Sequence, residues 1–184
     1  YTPFHFDITR FVDKGKENQV TILADNRRSM IVPPDPGPFD YVKFSGLYRD
    51  VYLVEKHPVH IGFNWEARHA GVTITTPTVD VVNKNATIDI KSVVKNTNGK
   101  AENVTVITRV IDAEGLVVLK LIDDAKIAQN SNFEFDQIGS LEDNVQLWNV
   151  DNPYLYRVNT EVLLNGKSVD LSLIHISEPT RRTP

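Results

Sequence analysis

The sequence contains no cysteine, carries little excess charge and has no long apolar run. Without cysteine the chain can form neither disulfides nor thiolate–zinc sites, and it offers no thiol nucleophile. The net charge of −4 predicts no basic surface of the kind that binds nucleic acid or anionic lipid. No stretch approaches the roughly 20 apolar residues that a membrane-spanning helix requires. We therefore expect neither a nucleic-acid partner nor a membrane, and the cell compartment is left open.

Motifs for nucleophilic, phosphate-binding or metal chemistry are also scarce. No serine stands in a Gly-x-Ser-x-Gly elbow, and no glycine-rich phosphate loop occurs. Among the five histidines only His57 and His60 are close in sequence, and Pro58 between them argues against a helix that would align them as metal ligands. The sequence therefore predicts no metal site. No catalytic pair can be chosen from its 24 acidic residues on residue type alone.

Apolar residues do occur at a spacing of two. Residues 87–94 and 156–162 alternate between apolar and polar side chains, which predicts half-buried strands of an antiparallel sheet. Shorter β-branched runs predict further strands at residues 20–24, 51–54, 72–75, 104–107 and 116–119. Turn residues separate the runs at Asn98-Gly99, residues 112–115 and Asn165-Gly166. Asn-Gly between apolar runs is the strongest short signal for a β-hairpin, so the two Asn-Gly pairs predict hairpins. The pattern predicts an all-β protein that contains a β-sandwich.

Two longer segments resemble one known family. Residues 44–53 read Phe-Ser-Gly-Leu-Tyr-Arg-Asp-Val-Tyr-Leu, and residues 147–156 read Leu-Trp-Asn-Val-Asp-Asn-Pro-Tyr-Leu-Tyr. In the first segment Gly46 predicts a turn, because glycine can take backbone angles that other residues avoid. The first resembles the end of the sugar-binding domain of glycoside hydrolase family 2, the family of β-galactosidases and β-glucuronidases. The second is similar to the family's Leu-Trp, Pro, Leu-Tyr segment near the end of the immunoglobulin-like sandwich that follows. The two segments stand in the family's order, about one sandwich apart.

The resemblance implies two domains. Residues 1–57 resemble the C-terminal part of a galactose-binding-like jelly roll, and residues 58–171 resemble an immunoglobulin-like β-sandwich. A jelly roll needs about eight strands and residues 1–57 supply only a few, so we expect a truncated domain that cannot cover its own apolar face. Trp148 is predicted to fill the core of the sandwich.

The last residues do not fit this scheme. Residues 172–184 abandon the strand pattern and look like a translated sequencing adapter. We expect an artefactual tail, with the native reading frame cut near Leu171.

The proline-rich stretch 31–40 holds the candidate site residue. Four prolines at positions 33–38 exclude a helix or a central strand and predict a stiff surface loop. Counting back five positions from Ser45 leads to Asp40, which the resemblance matches to an aspartate that binds hydroxyls of the terminal sugar in β-galactosidases. We therefore predict Asp40 as a substrate-binding residue. The alternative is a turn aspartate that caps backbone amides.

In the family both catalytic glutamates lie in a (β/α)₈ barrel after the sandwich, so the resemblance implies that this chain holds no catalytic residue. We expect a non-catalytic fragment of a retaining glycoside hydrolase that acts on β-glycosides, above all β-galactosides. Its partners would be the substrate, the barrel of the same polypeptide and further copies in a homo-oligomeric parent. No cofactor is expected in the fragment, whereas the parent would use a monovalent cation or Mg²⁺ at its active site. The bacterial cytoplasm and the periplasm are both compatible.

A second class of function is also open. The chain could be a free-standing β-sandwich module for carbohydrate binding or adhesion, since fold does not determine function. Such modules bind sugars on exposed aromatic side chains, and the candidates near the proline-rich loop are Tyr41, Tyr48 and Trp65.

Overall fold

The computed structural model describes residues 4–25, 46–47, 49–63, 71–142 and 145–176. The chain divides into two compact units, residues 1–54 and 55–184. This division lies close to the predicted boundary between residues 57 and 58, while the jelly-roll character of the first part stays a prediction. In the described residues no helix is both long and apolar enough to cross a membrane.

The described part of the first unit consists of turns and extended segments. A 3₁₀ turn covers Thr9–Phe11. The next turn is closed by Asn18, whose side chain accepts a hydrogen bond from Asp13 N at 2.9 Å and donates one to Asp13 O at 3.0 Å. The predicted strands at residues 20–24 and 51–54 are wrong, because neither run forms a strand in the structure. Their residue types suit a strand, but a strand also needs a hydrogen-bonded neighbour.

Apolar side chains of the first unit are exposed to solvent. Leu23 is 93% exposed, Leu53 83% and Phe6 78%. Large apolar side chains usually gain about 1.5–3 kcal/mol from full burial, so this unit forgoes much of that stabilisation. The exposure agrees with the expectation that this segment cannot cover its apolar face alone.

The described residues of the second unit form two antiparallel sheets, called sheet A and sheet B. Sheet A contains β1 (Val59–Ile61), β2 (Val72–Asp80), β3 (Asn85–Asn96) and β6 (Ser131–Leu141). Sheet B contains β4 (Glu102–Ile111), β5 (Val117–Ile127), β7 (Tyr156–Leu164) and β8 (Lys167–Ile176), in the order β5-β4-β7-β8. Strand β6 pairs with β3 from end to end, so β1 and β2 share the other edge of β3. The all-β prediction is confirmed, and the arrangement is sandwich-like.

The core lies between the two sheets, and alternation along the strands supplies it. Ile88, Ile90 and Val94 of β3 are buried, as are Val158 and Val162 of β7. The predicted alternation of residues 87–94 and 156–162 is therefore confirmed.

A close approach between β5 and β6 brings the two sheets together at one side of the core. A Cβ atom built on Gly139 of β6 would lie 2.7 Å from a methyl group of Leu119 in β5. Such proximity leaves room only for glycine without a shift of the leucine.

The prediction that Trp148 fills the core is wrong. Trp148 is only half-buried and lies in the connection between β6 and β7, outside any strand. Val145 and Tyr156, on either side of it in sequence, are buried in the core instead. Because this connection crosses from sheet A to sheet B, no strand alternation directs the indole inward.

The two Asn-Gly pairs form different structures. Asn165-Gly166 joins the paired strands β7 and β8, and both residues have positive φ, 51° and 74°, as the hairpin prediction requires. Asn98-Gly99 instead joins β3 of sheet A to β4 of sheet B, so the hairpin interpretation fails there. A turn sequence bends the chain, but the long-range pairing of the next strand decides whether a hairpin results.

The strand pattern does not end at Leu171 as predicted. Strand β8 continues to Ile176, and Ser172 and Ile174 pair with Thr160 and Val158 of β7. Backbone hydrogen bonds at a sheet edge tolerate most residue types, so pairing can continue through an atypical sequence. The origin of residues 172–184 as a translated adapter stays a prediction.

Candidate functional site

The predicted substrate-binding residue lies outside the described residues. Asp40 and the rest of the proline-rich stretch 31–40 belong to that part of the chain, and so do the aromatic candidates Tyr41, Tyr48 and Trp65. The structure therefore neither brings these side chains together nor separates them.

The turn of the first motif is described at Gly46. Gly46 has a φ of 80°, in the left-handed region that glycine adopts at little cost, and this confirms its predicted role. Farther along, the hydroxyl of Tyr52 donates a hydrogen bond of 3.0 Å to the Asp50 carboxylate. Asp50 is thus engaged locally, by a residue two positions away.

Two tyrosines of the family-like segment 147–156, Tyr154 and Tyr156, hold the connection between β6 and β7 in place through hydrogen bonds. Tyr156 Oη accepts a hydrogen bond from Gln146 N at 3.0 Å. Tyr154 Oη accepts one from Ala113 N at 3.1 Å and donates one to the Glu114 carboxylate at 2.7 Å. Burial raises the pKa of both phenols above the ordinary value of 10.0. The motif therefore acts as a structural joint.

A charged cluster lies on the outward face of sheet A. Lys91 Nζ is 3.0 Å from the Asp136 carboxylate, and this hydrogen bond lowers the pKa of Asp136 and raises that of Lys91. Burial raises the pKa of neighbouring Asp89. Carboxyls whose pKa values are pushed apart can serve as an acid and a base. However, the Lys91 and Asp136 side chains are 39% and 49% exposed, so water screens the pair and a surface ion pair is the better interpretation.

The two neighbouring histidines bind backbone rather than each other. His57 Nδ1 lies 3.0 Å from Val59 N, and His60 Nδ1 lies 2.7 Å from His57 O. Across the described ranges, no three His, Asp or Glu side chains come together in a way that could hold a metal ion. The histidines shape the segment that leads into β1.

Sequence reasoning missed Asp170 of β8, whose carboxylate contacts the segment that leads into β1. It accepts hydrogen bonds from Lys56 Nζ at 2.6 Å and from Ile61 N at 2.8 Å, and its side chain is 8% exposed. No signal for this was present in the sequence, because the alternation of Val169, Leu171 and Leu173 would place Asp170 outward, whereas the structure pairs it with the buried Val162 and turns it inward. An acidic residue at an inward position of a strand indicates a buried partner.

Comparison with known proteins identifies the class. The sequence profile described as glycosyl hydrolases family 2 matches residues 70–173, more than half of the chain. The chain therefore belongs to glycosyl hydrolase family 2.

Individual relatives agree with this assignment. A β-galactosidase of Thermoanaerobacter pseudethanolicus is 30% identical over 171 residues, which cover 92% of this chain and 21% of the relative. A β-glucuronidase of Formosa agariphila is 24% identical over 175 residues, 92% of this chain and 18% of the relative. A structure of Bacteroides uniformis β-glucuronidase 2, covalently bound to cyclophellitol-6-carboxylate aziridine, shares the fold with a TM-score of 0.72 at 24% identity, over 84% of this chain and 18% of that one. The chain spans about a fifth of the length of these relatives.

Proposed function

We propose that the chain is a non-catalytic part of a retaining glycoside hydrolase that acts on β-glycosides, with β-galactosides as its main substrates. One observation carries the proposal: the family profile matches residues 70–173 of a chain that spans about a fifth of its relatives' length. The relatives support a β-glycoside as the substrate, but a β-galactosidase is 30% identical and a putative β-glucuronidase 29%, so identity alone does not separate the two sugars.

In this proposal residues 58–171 form the immunoglobulin-like sandwich and residues 1–57 form the closing part of the sugar-binding jelly roll. The two antiparallel sheets support the sandwich assignment. Asp40 would contact hydroxyls of the substrate from the stiff loop, because a carboxylate accepts hydrogen bonds from vicinal hydroxyls. The catalytic pair would lie in a barrel elsewhere in the polypeptide, and the parent would be a homo-oligomer.

A monovalent cation or Mg²⁺ at the active site is proposed for the parent only. Among the described residues no three His, Asp or Glu side chains come together. Other parts of the enzyme would hold the cation.

The test is to recover the DNA that flanks this sequence, express the intact reading frame and assay it on p-nitrophenyl β-D-galactoside, β-D-glucuronide and β-D-mannoside. We expect the galactoside to have the highest kcat/KM, and NMR of the first-formed sugar to show retention. The 184-residue chain alone should be inactive. A genuine stop codon directly after Leu171, together with a genuine start before Tyr1, would overturn the proposal. Preference for the glucuronide would overturn the substrate assignment.

A further inference from the structure

A polar patch is buried inside the otherwise apolar core of the sandwich. Its four side chains come from both sheets, and each is at most 2% exposed: Ser92 of β3, Gln137 of β6, Thr108 of β4 and Thr160 of β7. Residues two positions away on the same strands are apolar, such as Ile90 and Val158. Because a buried polar group is unfavourable without a hydrogen bond, each member of this patch needs a partner.

Three members of the patch form a hydrogen-bonded chain that crosses from one sheet to the other. Thr108 and Thr160 are cross-strand partners in sheet B, and their Oγ1 atoms are 3.3 Å apart. Thr108 Oγ1 donates a hydrogen bond of 2.6 Å to Gln137 Oε1 of sheet A. A threonine hydroxyl has one hydrogen, so Thr160 must be the donor in its contact with Thr108. The chain thus uses the amide oxygen of Gln137 and leaves its amide nitrogen.

Two polar atoms of the patch stay unpaired: within the described part of the chain, neither Gln137 Nε2 nor Ser92 Oγ has a hydrogen-bond partner. Gln137 pairs with Ile90 of β3, and Ser92 lies two positions beyond Ile90 on the same inward face. Ser92 and Gln137 are therefore diagonal neighbours, with Cα atoms about 7–8 Å apart. A serine fills less volume than Ile90 and Val94 on either side of it, which favours space for a small molecule beside its hydroxyl.

We propose that Ser92 and Gln137 bind one ordered water molecule inside the core. The water accepts a hydrogen bond from Gln137 Nε2 and donates one to Ser92 Oγ, so the same molecule satisfies both unpaired groups. Water is the ligand that fits this site, because both side chains are uncharged, at most 2% exposed and enclosed by a close-packed core. The bound water extends the hydrogen-bonded chain from Thr160 and Thr108 to β3. A fully satisfied polar network of this kind favours a single alignment of the two sheets.

The water site is tested by crystal structures of the full-length protein that contains this chain, at a resolution that shows ordered water. We expect a density peak within about 2.7–3.2 Å of both Ser92 Oγ and Gln137 Nε2. In Ser92→Val the larger side chain takes the place of the water, so the peak should be lost while the strands keep their positions. Ser140→Val on the exposed face of β6 is the matched control and should keep the peak. A wild-type structure without that peak would overturn the proposal, and a peak that stays in Ser92→Val would overturn the role of Ser92.

A double-mutant cycle tests whether the two side chains share one molecule. Urea unfolding of the 184-residue chain is measured for Ser92→Val, Gln137→Leu and the double variant. Because a shared water is lost only once, we expect the double variant to lose less stability than the two single variants together. The difference should be about fivefold or more in the unfolding equilibrium constant. The control cycle pairs Ser92→Val with Ile88→Val, which removes no polar atom and should be additive. Additive losses for Ser92 and Gln137 would overturn the shared water, and the wild-type crystal structure decides the site if a variant fails to fold.

Discussion

Asn96, fully buried at the end of β3, donates a hydrogen bond of 3.1 Å from its side-chain amide to the carbonyl of Ile127, the last residue of β5. The same amide nitrogen lies 3.1 Å from Ala128 O and 2.9 Å from Lys100 O. Its side-chain oxygen accepts a hydrogen bond from Asn98 N at 3.0 Å. One side chain of sheet A thereby joins both turns at this end of the sandwich.

Replacing this amide by a carboxyl should be costly and pH-dependent. In Asn96→Asp a carboxylate oxygen would face three carbonyl oxygens, so burial and repulsion would raise the pKa of the new group above its unfolded value. The loss of stability should be about 2–4 kcal/mol at pH 7. The loss of stability should be smaller near pH 4. At that pH the new carboxyl group is protonated in the folded state, where its pKa is higher than in the unfolded state, and the neutral group is less costly to bury. Urea unfolding at both pH values measures this, with exposed Asn132→Asp as the control, and a pH-independent loss would contradict the hydrogen-bond arrangement.

Core placement predicts different costs for two large-to-small changes. Ile90 is completely buried, and Ile90→Ala should cost about 2–5 kcal/mol through lost burial and a cavity. Trp148 is half-buried outside the strands, and Trp148→Ala should cost only about 1 kcal/mol. Denaturant unfolding of the two variants measures the difference. Equal losses would show that the indole is part of the core after all.

Glu161 should contribute to acid sensitivity. Side-chain hydrogen bonds from Arg109 and, to a lesser extent, from Ser168 lower the pKa of Glu161 below its ordinary value of 4.5. A carboxyl group whose pKa is lower in the folded state than in the unfolded state stabilises the folded protein at pH values above its unfolded pKa. This stabilisation is lost as the pH falls through the folded pKa. The stability advantage of the wild type over Glu161→Gln, less than about 1 kcal/mol for such a pair, should therefore shrink below about pH 4.5. Thermal unfolding between pH 3 and 7 tests this, and a constant difference would argue against the pair.

Asp40 should matter to the intact enzyme rather than to the fold of this chain. Asp40→Ala should raise KM and lower kcat, with a loss in kcat/KM of about tenfold or more, because a charged hydrogen bond to a hydroxyl contributes about 1.5–3 kcal/mol. Asp35→Ala in the same proline-rich loop is the control for general disturbance of the loop. Steady-state kinetics on the preferred glycoside measures both variants, and wild-type constants for Asp40→Ala would reject the substrate contact.

Features that depend only on residues close together in the chain could be predicted from the sequence. Alternation along β3 and β7, the positive φ at Gly46 and the hairpin at Asn165-Gly166 depend on residues a few positions apart. Strand β6 was not predicted, because its polar residues and Gly139 weaken the alternation. Asp40 could be proposed only through the family resemblance.

The sequence by itself determined the family, the all-β class and the alternating faces of the central strands, since each depends on local periodicity or on a contiguous motif. Tertiary structure alone decided which sheet each strand joins, why residues 20–24 form no strand and why Trp148 stays half-buried. It also brought Asp170 to Lys56 across 114 positions of sequence. The physical reason is that strand pairing and burial depend on residues that are distant in sequence. A local sequence pattern does not specify which distant residue a side chain will contact.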